Sequence, residues 1–113
     1  MHGGASGFAI FIDLIIAVIM IASMWKIFEK AGQPGWAAII PIFNLYVTLK
    51  VAQKPGWWLI LFFIPIVNFI MYIITLLAVA EKFSKSVGFA IGMILLPIIF
   101  FPILGFGDAT YSG

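Results

Sequence analysis

Long apolar runs, separated by short clusters of Lys, Gly and Pro, divide the chain into four segments. The clearest run covers residues 57–80, whose 24 residues include no charged side chain. An α-helix needs about 20 apolar residues to cross the ~30 Å hydrocarbon core of a bilayer. The pattern therefore predicts a transmembrane helix over this run and indicates an integral membrane protein.

Two other segments are long enough for the same prediction. Residues 8–25 contain one charged side chain and no Gly or Pro, so a regular helix is expected over about residues 8–28. Residues 87–107 form a further apolar run of 21 residues. We expect both segments to cross the bilayer.

The segment at residues 36–49 is shorter than the others. Its 14 residues would form a helix of about 21 Å, which is less than the hydrocarbon thickness. Pro41 lies in the middle of this segment and favours a broken path. We expect a re-entrant or interfacial segment, and the alternative is a fourth transmembrane helix in a thinned bilayer.

Together the segments predict one all-α membrane domain over residues 1–113, with three transmembrane helices and one short segment. Hydrophobic residues make up 65% of the chain and charged residues 9%, whereas soluble proteins carry about 25% charged residues. We therefore expect no extramembrane domain. The N-terminus lacks the basic region and cleavage site of a signal peptide, so the first helix is expected to be retained.

Prolines inside the apolar segments predict helix breaks, because proline lacks a backbone N–H and clashes with the preceding turn. The predicted breaks are at Pro41, Pro65, Pro97 and Pro102. Two of them belong to a repeated pattern, in which Pro-Gly-Trp (34–36 and 55–57) precedes Ile-Pro-Ile-x-Asn (40–44 and 64–68). An internal duplication and a chance recurrence both explain this pattern, and both alternatives stay open.

All six basic residues are lysines, and they occur in pairs at the ends of apolar segments: Lys26 and Lys30, Lys50 and Lys54, Lys82 and Lys85. With Trp36, Trp57 and Trp58 they are predicted to be anchors at the bilayer interface. Arginine, the usual residue for bidentate phosphate recognition, is absent, so nucleic-acid binding is not expected.

The lysine pairs also bear on topology. If residues 36–49 do not cross, Lys82 and Lys85 lie outside; if they cross, Lys50 and Lys54 lie outside. Either arrangement leaves four lysines inside, so the positive-inside rule favours an external N-terminus without deciding between three and four spans. We expect a bacterial cytoplasmic (inner) membrane location.

Three polar side chains inside the apolar segments are candidates for function. Asp13 is either a proton, cation or ion-pair site, or a carboxylate near enough to the interface to reach water. Asn44 and Asn68 each follow a proline, so they are expected to satisfy backbone groups or bond to another helix; the alternative is a polar solute path. Gly88 and Gly92 form a GxxxG pattern, which is typical of close helix packing.

Catalytic chemistry has little support in the sequence. The chain has no Cys, and its single His2 lacks companion ligands, so we expect no metal and no cofactor. A Ser–Lys dyad within residues 82–86 is the one nucleophile arrangement with suitable residue types, but it would lie in a short solvated loop. We expect a protein that is not an enzyme.

The stretch from Trp36 to Tyr111 resembles a family of small bacterial multi-pass membrane proteins. The resemblance rests on residues 34–36, 40–46, 54–58, 64–68, 85–89 and 102–108. It implies a membrane location and supplies no activity. Some members of that family are attached to signal peptidases, but this chain lacks the catalytic domain of a peptidase.

These observations predict a non-enzymatic membrane protein that packs against lipid and against other membrane subunits or copies of itself. We expect it to act as an accessory or structural subunit. The alternative is a small channel or transporter that uses Asp13, Asn44 and Asn68 at broken helices.

Overall fold

The computed structural model describes residues 7–112, and every regular element in that range is helical. The all-helical prediction is therefore confirmed. His2 and the two ends of the predicted domain lie outside the described residues. The elements are α1 (Gly7–Lys30), a 3₁₀ helix (Gly35–Ile39), α2 (Pro41–Val51), α3 (Trp58–Leu61), α4 (Pro65–Lys82), α5 (Val87–Leu95) and α6 (Pro97–Phe106).

Three of the helices begin with the proline of an X-Pro pair. Proline suits the first position of a helix, and it forces the residue before it out of the helical conformation. Ile40 and Ile64 accordingly have nearly identical extended backbones, with φ/ψ of −94°/114° and −97°/117°. Leu96 breaks the chain differently, with φ −133° and ψ 60°.

Pro102 does not break a helix, so that prediction was wrong. It lies inside α6, which continues to Phe106. A proline within a helix removes one backbone hydrogen bond. α6 nevertheless continues through Pro102 and packs extensively against α1.

The three X-Pro breaks define three broken units: residues 34–51, 55–82 and 87–106. The third unit is a hairpin, because the rings of Phe89 and Phe100 lie 5.1 Å apart. Eleven residues of straight helix would separate them by about 16 Å. The apolar run predicts one transmembrane helix over residues 87–107, but these residues form a hairpin instead.

Three helix ends share the same stop signal. Gly32, Gln53 and Ser84 adopt positive φ angles of 76°, 58° and 60° after α1, α2 and α4. In each case two backbone N–H groups reach back to carbonyls of the last turn, as in a Schellman motif. The longer-range bonds run from Gln33 to Phe28 (2.8 Å), from Lys54 to Leu49 (2.9 Å) and from Lys85 to Ala80 (2.8 Å).

The ends of all three broken units meet in one region, which also contains the C-terminus of α1. Lys30 Nζ donates to the Gly107 carbonyl (3.0 Å), and Tyr111 Oη donates to the Val51 carbonyl (2.8 Å). The N–H of Ser112 donates to the Lys82 carbonyl (2.8 Å). We call this region, which holds the C-terminal turns of α1, α2, α4 and α6 and all three lysine pairs, the lysine end.

Among residues 7–112, two helices, α1 and α4, are long and apolar enough to cross a membrane, rather than the three expected. The run at 57–80 divides into α3 and α4, and the run at 87–107 divides into α5 and α6, because a proline interrupts each one. The segment at 36–49 contributes most of the 3₁₀ helix and α2.

The buried core lies towards the lysine end. It is built from the C-terminal halves of the longer helices, which supply Phe28, Val47, Leu76, Val79, Phe83 and Leu104 among others. The opposite end is apolar but exposed, as Ile66 on α4 illustrates. The apolar side chains at the end opposite the lysine end are therefore exposed, and the buried ones lie towards the lysine end.

Candidate functional site

The two asparagines occupy equivalent positions at the two Ile-Pro breaks. The side-chain amide of Asn44 donates to the carbonyl of Ala38 (3.0 Å), six residues earlier, and Asn68 donates to Phe62 at the same spacing. Each amide thus donates to a backbone carbonyl just before the break, where the helical ladder of hydrogen bonds is interrupted. This geometry corresponds to the structural role expected from the sequence.

Asn44 lines a cavity between the helices. This cavity has a volume of about 180 Å³ and lies between α1, α2, α4 and α6. Most of its wall is apolar, and its polar side chains are Asn44, Thr48, Tyr72 and Thr75. The Thr48 and Thr75 hydroxyls bond to carbonyls of their own helices, at 2.8 Å and 2.7 Å. The cavity therefore offers room for a small molecule and no acid, base or nucleophile pair.

Asp13, Asn44 and Asn68 are not brought together. Asp13 lies on an exposed stretch of α1, and Asn68 is exposed on α4. Neither side chain lines the cavity that contains Asn44. The geometry thus supplies no common polar path through the three residues.

Lys30 makes inward contacts that differ from those of an interface anchor. Its ammonium group donates to the carbonyls of Leu104 (2.7 Å) and Gly107 (3.0 Å), at the C-terminus of α6. A cation at this position satisfies orphan carbonyls and interacts favourably with the helix dipole. Sequence analysis missed this role because the partner carbonyls lie 74 and 77 residues further along the chain.

The chain after α6 caps two more helices. Tyr111 binds the last carbonyl of α2, and its ring lies against Phe83 with centroids 5.4 Å apart. The N–H and hydroxyl of Ser112 both donate to the Lys82 carbonyl, at 2.8 Å and 3.0 Å. The lysine end is thereby tied together by residues distant in sequence, and no sequence motif marked Tyr111 or Ser112.

Glycine packing differs from the GxxxG expectation. A Cβ on Gly92 would meet the ring of Phe100 at 2.5 Å, so Gly92 packs inside the third unit, while Gly88 meets only Ser86 at 3.6 Å. A close approach between two helix backbones involves Gly105 instead. A Cβ there would lie 2.6 Å from the Ser23 carbonyl of α1.

The predicted anchors surround the lysine end. Trp36 and Trp57 are exposed, whereas Trp58 is half-buried. Lys50 lies over the ring of Tyr46 (5.3 Å) and Lys54 over the ring of Trp58 (5.5 Å). Lys26 pairs with Glu29 at 3.9 Å on the surface. Such contacts hold the cations beside aromatic or acidic partners.

No Ser–Lys dyad forms within residues 82–86. Ser86 is the N-cap of α5, and its hydroxyl accepts a hydrogen bond from the Phe89 N–H (3.2 Å). Lys85 Nζ instead lies 5.3 Å from the ring of Phe89. Among residues 7–112 no cluster of His, Cys, Asp or Glu could hold a metal ion.

The N-terminal half of α1 is an extended and exposed apolar surface. Phe8, Leu14 and Val18 are 71%, 60% and 65% exposed. The buried residues of α1 are Ser23, Ile27 and Phe28, all near its C-terminus. We call residues 7–19 the distal half of α1 and residues 20–30 its proximal half.

A family model matches residues 36–113, and its description is a family of unknown function, DUF5684. The match begins within the first broken unit, so it includes most of the lysine end and leaves α1 outside. No curated protein and no solved structure matches the chain. Because the match covers more than half of the sequence, the chain belongs to the DUF5684 family.

Proposed function

We propose that this is an integral membrane protein in which α1 crosses the bilayer. The three broken units then enter and leave the membrane at the lysine end. This arrangement is supported by the exposed apolar side chains of α1 and α4, which lipid would cover. The backbone N–H and carbonyl groups of Ile40, Ile64 and Leu96, the residues at the three breaks, are hydrogen-bonded, as a membrane requires of non-helical backbone.

The positive charges give this arrangement a direction. All three lysine pairs lie at the lysine end, so the positive-inside rule assigns that end to the cytoplasmic side and the N-terminus to the outside. The location proposed is a bacterial cytoplasmic membrane. This topology differs from both sequence-based alternatives, each of which placed one lysine pair outside.

We propose further that the protein is a non-enzymatic subunit that packs against another membrane protein or a second copy. The observation that carries this proposal is the exposure of the distal half of α1. Within the part of the chain that the structure describes, every residue from Ile10 to Ile19 is exposed, and all of them except Asp13 are apolar. A helix with these properties can pack against a transmembrane helix of a partner, where van der Waals contacts drive association.

Site-specific photo-crosslinking in membranes tests this function. A photoreactive residue in place of Leu14 or Val18 is expected to form a covalent adduct with another polypeptide, whose mass identifies a copy or a different subunit. The matched control is the same photoreactive residue in place of Ile27, which is buried in α1 and should crosslink only within the chain. Adducts with lipid alone at Leu14 and Val18 would contradict the proposal.

A further inference from the structure

A groove of about 500 Å³ runs between the second and third broken units at the lysine end. Its polar wall consists of Lys54, Glu81, Lys85 and Ser86. The remaining wall is apolar and is formed by Ile74, Leu77, Ala78 and Val87. Charged groups at one part and aliphatic groups at another match an amphiphilic ligand rather than a soluble metabolite.

The two lysines are placed in the groove by equivalent local structures. Lys54 follows Gln53 and Lys85 follows Ser84, the positive-φ residues of two Schellman motifs. In each motif the backbone N–H of the lysine donates the longer-range hydrogen bond to the preceding helix. Each ammonium group also lies over the aromatic ring four residues later, Trp58 at 5.5 Å and Phe89 at 5.3 Å. The backbone and the rings therefore place two cations in the lining of the same groove.

The charge of the groove favours a singly charged anion. Two lysines and Glu81 give the lining a formal charge of +1. Among the described residues, neither lysine lies within 4.0 Å of a carboxylate oxygen, so Glu81 does not neutralise them by direct pairing. A phosphodiester carries a single negative charge and accepts hydrogen bonds from ammonium groups.

We propose that this groove binds one phospholipid, with its phosphate between Lys54 and Lys85. An acyl chain lies along Ile74, Leu77 and Val87. The inference rests on the membrane location proposed above, because a phospholipid reaches the groove from the surrounding leaflet. It is independent of any partner at the distal half of α1.

The test is native mass spectrometry of the full chain after delipidation in detergent. Dioleoylphosphatidylglycerol and dioleoylglycerol, which has the same acyl chains without phosphate, are added separately, and inorganic phosphate is added as a competitor. We expect one retained phosphatidylglycerol and no specific retention of dioleoylglycerol. The variant Lys54→Gln/Lys85→Gln should lower retention at least about tenfold, because two charge-assisted hydrogen bonds are lost.

The control variant is Lys26→Gln/Lys50→Gln, which removes the same charge from residues outside the groove. This variant should retain lipid like the parent chain. Equal loss in both variants would show a general charge effect and overturn the proposal, and so would displacement of the lipid by inorganic phosphate. A separate experiment distinguishes failure of the lipid site from failure of the proposed membrane location. A protein that is not embedded in the membrane would be released from cell membranes by alkaline carbonate.

Discussion

The two halves of α1 differ in sequence and in environment: the distal half has one charged residue in thirteen and is exposed, whereas the proximal half has three in eleven and contains the buried residues. In the proximal half, Ser23, Ile27 and Phe28 are buried against α6, α2 and the 3₁₀ helix. In the distal half every residue from Ile10 to Ile19 is exposed. The difference shows that burial depends on which elements return to α1, and not on hydropathy along the helix.

What brings α6 to the proximal half is a close backbone contact and a set of caps. Gly105 allows α6 to reach the Ser23 carbonyl, and Lys30 binds the carbonyls at the end of α6. The distal half has no buried residue among those described. Substitutions in the proximal half should therefore affect folding, and those in the distal half should affect association alone.

The largest effect is expected for Gly105→Ala. The new Cβ would lie 2.6 Å from a backbone oxygen of α1, so the two helices must separate. We expect a loss of about 2–3 kcal/mol in the free energy of unfolding. Urea unfolding in detergent micelles, followed by tryptophan fluorescence, measures this change. Gly88→Ala is the control, because it meets only Ser86 at contact distance and should leave stability unchanged or slightly raised.

Lys30→Met should have the next largest effect. The variant keeps an apolar stem of similar length and loses two hydrogen bonds from a charged donor. We expect unfolding to become easier by about 2 kcal/mol. Lys26→Met removes the same charge one turn earlier, where the lysine makes only an exposed pair with Glu29, and should change stability by less than about 0.5 kcal/mol. Equal effects of both variants would contradict the capping role.

Asn44→Leu and Asn68→Leu test the two equivalent breaks. Each change leaves one carbonyl without its donor, so each should cost about 1–2 kcal/mol of stability. The same unfolding measurement applies, and transport of small solutes into liposomes should not change. If either variant loses solute flux while its free energy of unfolding is unchanged, the channel hypothesis is favoured over the structural role.

The smallest effect on folding is expected in the distal half. Leu14→Ala and Val18→Ala remove exposed side chains, so each should change the free energy of unfolding by less than about 0.5 kcal/mol. Both variants should nevertheless weaken co-purification of the partner in mild detergent. A distal variant that unfolds as easily as Gly105→Ala would remove the distinction between the two halves.

Part of this architecture was accessible from the sequence because it is local. Apolar runs located the helices, and the Ile-Pro pairs located two breaks with their asparagines. The hairpin of the third broken unit was missed because Phe89 and Phe100 are close only after the chain turns at Leu96. The caps from Lys30, Tyr111 and Ser112 were missed for the same reason, since their partners are 30 or more residues away.

The central claim is that all three broken units begin and end on one side of the membrane. The chain has no cysteine, so single variants can be labelled with a membrane-impermeant maleimide in vesicles of known orientation. We predict that Gln33→Cys, Gln53→Cys and Ser84→Cys react from the same side and that Gly7→Cys reacts from the other. Labelling of Gln53→Cys or Ser84→Cys from the side opposite to Gln33→Cys would contradict the claim.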